Sequence, residues 1–143
     1  MVPQVEELGA ECLAVPADRL AVVQPGVVNK ALRDAVAGAG LFYPPDPSSY
    51  DWCTIGGNLA VNSGGLCCVK YGVTTDYVLG LDVVLADGTL VTLGGKRIKD
   101  VAGLSLIKLF VGSEGTLGVV TRALLRLIPA QGARSTLVAT FPT

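Results

Sequence analysis

Two glycine-rich stretches hold the residues best suited to chemistry. The first runs from Thr54 through Ile55, Gly56, Gly57, Asn58, Leu59, Ala60, Val61, Asn62, Ser63 and Gly64 to Gly65. The second runs from Gly112 through Ser113, Glu114, Gly115, Thr116 and Leu117 to Gly118. Glycine lets the main chain approach a ligand closely and adopt unusual backbone angles. Successive exposed amides in such turns form concavities that hold anions. A nucleotide diphosphate can be held this way with almost no Lys or Arg. The spacing excludes the best-known phosphate loops. No glycine is followed by Lys and then Ser or Thr, since Gly95-Lys96 leads into Arg97. Gly112, Gly115 and Gly118 are spaced G-x-x-G-x-x-G between an expected helix and an expected strand, the reverse of the dinucleotide fingerprint.

Other chemistries are closed off by composition. The chain contains no histidine, so no Ser-His-Asp or Cys-His nucleophile and no imidazole metal ligand can form within it. Cys12, Cys53, Cys67 and Cys68 lack paired C-x-x-C spacing and are expected as free, buried thiols. No metal ligand set and no catalytic side chain are assigned. Among 143 residues, 11 Lys and Arg face 12 Asp and Glu, for a net charge of -1, and 50% are hydrophobic. That balance excludes a disordered chain and argues against nucleic acid as a partner. No apolar run is long enough for a membrane span. The start, Met1-Val2-Pro3-Gln4-Val5-Glu6-Glu7, is unlike a secretory signal, so a cytoplasmic location is expected.

The elements that must position the glycine stretches are short. A strand is expected over Leu20–Gln24, ended by Pro25-Gly26. A helix follows with Asn29 as its N-cap, an apolar face of Leu32, Ala35, Val36 and Ala39, and Gly40 beyond its end. Tyr43–Ser49, with three prolines, is expected to be irregular. The 54–65 stretch reads as a loop with one helical turn at Leu59–Val61. Leu81–Ala86 and Thr89–Leu93 read as a hairpin around a type I′ turn at Asp87-Gly88. A polar connector over 94–100 leads to a helix over 103–111 with Leu104, Ile107, Leu109 and Phe110 inward. One long strand, Val119–Ile128, is stopped by Pro129, and another begins at Ser135 and runs to Phe141. The pattern is α+β, with a mixed or antiparallel sheet and short flanking helices.

Five motifs occur in order: residues 43–49, YPPDPSS; 54–65, TIGGNLAVNSGG; 70–72, KYG; 79–89, LGLDVVLADGT; and 111–121, VGSEGTLGVVT. Together they resemble the FAD-binding domain of vanillyl-alcohol oxidase type (PCMH-type) flavoproteins. The nearest branch is similar to the glycolate oxidase FAD subunit, D-lactate dehydrogenase and D-2-hydroxyglutarate dehydrogenase group. The resemblance covers about residues 18 to 130. It implies FAD as cofactor and a parent enzyme that oxidises a small 2-hydroxy acid by hydride transfer. It also implies that the stretch matching Pro45 to Thr54 runs beside the flavin. The stretch matching Ile55 to Gly65 lines the ring and ribityl-diphosphate, and that matching Glu114 to Val120 closes over the ADP side. The implied cofactor residues are Pro45, Thr54, Ile55, Gly56, Gly57, Asn58, Val61, Asn62, Ser63, Gly64, Glu114, Gly115, Gly118, Val119 and Val120. Glu114 either bonds the cofactor or caps its own turn.

Two departures from the family pattern shape the expectations. The family's first diphosphate-binding loop should precede Leu20, where the first 17 residues offer only Gly9. The substrate-binding cap should follow Pro129. Residues 1–130 are thus expected to form a partial FAD domain, and 131–143 a linker and the first strand of a cap. The alternative is a non-catalytic or truncated FAD or nucleotide module that needs further domains or a partner chain. Self-association through uncovered apolar edges is expected. Without histidine, covalent flavin attachment is limited to cysteine, with Cys53 nearest the expected site.

Overall fold

The computed structural model describes residues 9–97, 99, 101, 103–132 and 136–141. Seven strands are seen among them: β1 (Cys12–Val15), β2 (Leu20–Val23), β3 (Leu41–Phe42), β4 (Val78–Val84), β5 (Leu90–Gly94), β6 (Val119–Arg126) and β7 (Ile128–Pro129). The helices are α1 (Asn29–Ala37), α2 (Ile55–Val61), α3 (Cys68–Tyr71) and α4 (Leu106–Phe110). Five strands form an antiparallel sheet in the order β1-β2-β6-β4-β5, and β3 pairs with β7 separately. The expected α+β architecture is therefore present.

Alternation along the strands decides which face is buried. Ala21 and Val23 of β2 lie opposite Leu125 and Ala123 of β6, and Leu81 of β4 lies opposite Ala123. All five side chains are buried. They meet Leu32 and Val36 of α1, Ile55 and Leu59 of α2, and Tyr43 and Tyr77 in one core. The opposite face carries Leu13, which is 65% exposed, with half-buried Val22 and Leu124 and the Arg122–Asp82 ion pair. No described helix covers that face.

Several elements differ from expectation for local reasons. Asn29 is the first helical residue, and Val28 is the N-cap. The Asn29 side chain is fully buried and donates to the Pro45 carbonyl at 3.1 Å instead of capping its own helix. Ala35 and Ala39 are exposed, and Gly40 takes the expected left-handed angle, φ +67°. The Asp87-Gly88 hairpin forms, but only Gly88 has positive φ. Gly88 N–H donates to the Leu85 carbonyl and Leu85 N–H to the Thr89 carbonyl, both at 2.9 Å. This is a type I turn closed by a left-handed glycine, the three-residue hairpin loop. β6 stops at Arg126, because Leu127 N–H turns to the Arg19 carbonyl at 2.8 Å and the chain leaves to pair with β3. Pro129 lacks the amide needed in a central ladder and sits at that two-residue edge.

The helix expected over 103–111 spans only Leu106–Phe110; Ile107 and Phe110 face inward three residues apart, while Leu109 and the preceding Leu104 are exposed. Residues 136–141 carry no strand and are exposed. Ser135, where that strand was expected to begin, lies outside the described residues, as do Ile98 and Asp100 of the polar connector. β1 was not foreseen; it pairs back on β2 through a turn in which Arg19 is left-handed. The four cysteines are half-buried and outside any disulfide, and burial pushes the Cys12 thiol up.

The hairpin gives a pH prediction. Thr89 N–H donates to the Asp87 carboxylate at 2.9 Å, which holds that carboxyl below its usual value. A lowered folded pKa contributes stability above the unfolded pKa, and the contribution vanishes as pH falls through the folded one. Acidification from about pH 5 to about pH 2 is therefore expected to cost the native chain more than Asp87→Asn, around the carboxylate range. Urea midpoints across that window check this; parallel loss in both chains would contradict it.

Candidate functional site

The 54–65 stretch begins as a helix and not as a loop. Thr54 is the N-cap of α2, and its Oγ1 accepts from Gly57 N–H at 3.1 Å. Two glycines in two turns carry an entropic penalty, which docking offsets. Asn29 N–H reaches the Cys53 carbonyl at 2.9 Å, Ile55 N–H the Val27 carbonyl at 2.7 Å, and Gly56 N–H the Pro25 carbonyl at 2.8 Å. Ile55 and Leu59 are fully buried beneath. Gly56 is required for this approach, because a Cβ there would lie 2.6 Å from Pro25 Cβ.

Asn62 ends the helix in the left-handed region, φ 50°, a conformation asparagine tolerates. Its Oδ1 accepts from Thr75 N–H at 2.9 Å. The second glycine stretch then supplies donors to the end of α2. Gly112 N–H donates to the Leu59 carbonyl at 2.8 Å, and Glu114 N–H to the Ala60 carbonyl at 2.9 Å. Helix-end carbonyls need such partners. The two glycine stretches, some fifty residues apart, are thus joined by main-chain bonds. Glu114 does this with φ 53°, and its side chain is exposed.

Between the two stretches lies a cleft of about 380 Å³. Its floor is Gly56, Gly57 and Ala60 of α2. Pro25 and Gly26 border it, with Thr54, and the far wall is Phe110, Ser113, Gly115, Gly118, Val119 and Val120. The glycines there have different roles. At Gly118 a Cβ would stand 2.7 Å from Val83 Cγ1 and 2.8 Å from the Val84 carbonyl oxygen, so this glycine permits tight packing on β4. At Gly57 only Thr54 Oγ1, at 3.4 Å, would be near, and at Gly115 nothing lies within 4 Å. Those two leave open space at the cleft.

Of the residues singled out in the sequence, Thr54, Gly56, Gly57, Gly115, Gly118, Val119 and Val120 line the cleft. The others lie elsewhere. Pro45 is buried and accepts from Asn29. Ile55 belongs to the core. Asn58 is buried with its Nδ2 unpartnered. Val61 is exposed. The Ser63 carbonyl accepts from Thr74 N–H at 3.0 Å and Thr74 Oγ1 at 2.8 Å. Gly64 faces Val73, whose Cγ1 would be 3.1 Å from an added Cβ. Ala60 and Ser113, from within the two glycine stretches, also line the cleft, as do Pro25, Gly26 and Phe110, which were not foreseen. Pro25-Gly26 reads locally as a strand stop, and long-range bonds from Gly56 to Pro25 and from Ile55 to Val27 bring it here.

The cleft differs from the expected nest of free amides. No lining side chain is charged. The N–H groups of Gly26, Gly56, Gly57, Ser113 and Glu114 donate to Gly9, Pro25, Thr54, Phe110 and Ala60. No group of three or more Cys, Asp or Glu that could hold a metal ion occurs among the described residues. No described helix is long and apolar enough to cross a membrane.

The fold matches a known domain type. Residues 11–94 match the family described as FAD binding domain, and the chain belongs to it. Within that family it is related to the glycolate oxidase, D-lactate dehydrogenase and D-2-hydroxyglutarate dehydrogenase group. It is 58% identical over 121 residues to the glycolate oxidase subunit GlcD of Bacillus subtilis, covering 85% of this chain and 26% of that protein. It is 47% identical over 132 residues to a D-lactate dehydrogenase of Archaeoglobus fulgidus, covering 92% of this chain and 30% of that one. Among solved structures, alkyldihydroxyacetonephosphate synthase superposes with a TM-score of 0.71 at 30% identity, over 84% of this chain and 21% of that chain. The chain thus spans about a quarter to a third of the curated relatives it matches.

Proposed function

We propose that the cleft between α2 and the 112–120 segment receives part of an FAD molecule. In this reading the chain is the FAD-binding segment of a flavin-dependent oxidoreductase acting on a small 2-hydroxy acid of the glycolate or D-lactate type. The observation that carries it is the joining of the two glycine stretches around one cleft, with Gly112 and Glu114 bonded to the end of α2. At about 380 Å³ the cleft falls at the lower end of small-molecule sites and admits one end of a dinucleotide. Glycines 57 and 115 expose bare backbone for a flat ring, and Phe110, Val119 and Val120 supply apolar contact. When bound, the flavin accepts the hydride.

The chain's own residues bind and position. Thr54, Gly56, Gly57, Gly115, Gly118, Val119 and Val120 contact the cofactor, while Asn58, Asn62, Ser63 and Gly64 hold the surrounding turns. Residues 1–130 form the FAD-binding part, and 131–143 lead towards a substrate domain. No titratable side chain lines the cleft, so the group that takes the substrate's proton and the one that holds its carboxylate come from another segment or a partner subunit. That same observation favours the second reading, a binding module inactive by itself. Cysteines 12, 53 and 68, outside any disulfide, support a reducing compartment, the cytoplasm.

Titrating the purified chain with FAD tests the proposal. Saturable quenching of flavin fluorescence at one equivalent is the expected result; absence of saturation overturns it. Adding glycolate or D-lactate to the loaded chain is expected to leave the flavin oxidised. Bleaching without a second polypeptide would show that the chain carries its own substrate site.

A further inference from the structure

We propose that a second pocket, where β2 and β6 meet, binds a small organic carboxylate. The pocket has a volume of about 410 Å³ and is lined by Asp18, Arg19, Leu20, Lys96 and residues 126–129. It shares no lining residue with the cleft between the glycine stretches, so its ligand is distinct from the one proposed there. Strand pairing brings its two arginines to one place. Leu20 of β2 lies opposite Arg126 of β6, and the Arg19 carbonyl accepts from Leu127 N–H at 2.8 Å.

Three cations and one carboxylate line the pocket. Lys96 Nζ pairs with the Asp18 carboxylate at 3.3 Å, which ties the segment after β5 to the turn before β2. Neither Arg19 nor Arg126 has an ion pair among the described residues, so two guanidinium charges are left uncompensated. Arg126 is held in place. Its guanidinium carbon stands 5.2 Å over the Tyr77 ring, and its Nη2 donates to the Asp76 carbonyl at a long 3.5 Å. Its Nε is buried with no hydrogen-bond partner. A buried N–H on a charged group costs free energy until an acceptor meets it. The acceptor that fits a guanidinium fork is a planar carboxylate.

Arg19 adds a second sign. Its φ is 54°, a backbone conformation that glycine adopts freely and a side chain strains. The turn would form more easily with glycine at 19, so arginine there is accounted for by what its side chain does at the pocket. The remaining lining selects among anions. Leu20 and Leu127 are buried, Ile128 is half-buried and Pro129 is exposed. They place hydrocarbon surface beside the charges. Inorganic phosphate would leave that surface unused, whereas a carboxylate with a short aliphatic body covers it.

Isothermal titration of the purified chain with hexanoate tests this. One saturable site is expected, with acetate at least about tenfold weaker, because its hydrocarbon body is shorter and less of it is buried. Hexanamide keeps the body but lacks the charge, and is also expected to be at least about tenfold weaker. Arg19→Gly is expected to weaken hexanoate at least about fivefold by removing one charged donor group. Its melting temperature is expected to be no lower, since glycine suits φ 54°. Arg126→Lys keeps the charge and loses the fork, and is expected to weaken hexanoate about fivefold.

Hexanoate that fails to saturate, hexanamide that matches it, or full affinity in a folded Arg19→Gly chain overturns the proposal. Inorganic phosphate bound more tightly than hexanoate overturns it too, by assigning the arginines to another anion. The FAD titration is read separately, because the two pockets have no residue in common.

Discussion

Gly56→Ala is expected to lower stability by about 2 kcal/mol, within the usual cost of forcing atoms into a packed site, whereas Gly57→Ala is expected to raise it by about 0.5 kcal/mol, as helix propensity predicts. The two glycines are neighbours in α2, yet their surroundings are opposite. A Cβ on Gly56 would meet Pro25 Cβ at 2.6 Å and the Pro25 carbonyl oxygen at 3.0 Å. That oxygen accepts from Gly56 itself, so relief by movement costs the hydrogen bond that docks the helix. A Cβ on Gly57 would touch only Thr54 Oγ1, at ordinary contact distance. The changes should appear as melting temperatures about 6 °C lower and about 2 °C higher, from the usual scaling for a domain of this size. Equal effects of the same sign would mean that α2 does not dock on the 25–26 turn. The destabilising change should also weaken FAD, since Pro25 and Gly26 border the cleft.

Leu125→Ala is expected to cost about 3 kcal/mol, in the range for emptying a buried leucine site. Leu125 is fully buried in the middle strand of the sheet, opposite Ala21 on one side and Val78 on the other. Its partner on β2 is Ala21, and Ala123 lies two residues before it, so these sheet neighbours are too small to fill the gap. Urea unfolding should show a lower midpoint with an unchanged slope, since the surface exposed on unfolding stays the same. Leu13→Ala, at a mostly exposed position on the uncovered face, should stay within about 0.5 kcal/mol. A cost below about 1 kcal/mol for Leu125→Ala would contradict the strand order, because a core leucine does not empty so cheaply.

Local chemistry explains which features could be read in advance. The hairpin across Asp87-Gly88, the strand at Leu20 and the helix through Leu32 and Val36 are written in alternation, period and turn residues close together in the chain. Where those same rules met a distant partner, they failed in detail. Asn29 is a good cap in isolation, but its side chain binds Pro45. Glycines 56 and 57 argue against helix, but Thr54 and the 25–26 turn secure one. The apparent single strand from Val119 divides at Leu127, whose amide is taken by Arg19.

The cleft follows the same division. The order of the five motifs was enough to identify the family and to point at Thr54–Gly57 and Gly115–Val120, because those stretches are built from small residues whatever surrounds them. Folding alone determined that Asn62, Ser63 and Gly64 turn towards the 73–75 turn, that Pro25 and Phe110 become walls, and that the amides nearest the cleft are engaged. Hydrogen bonds that span 11 and 13 positions at Ser63 and Asn62, and 31 to 54 positions between the cleft walls, set those outcomes, and no local pattern encodes which carbonyl an amide will meet.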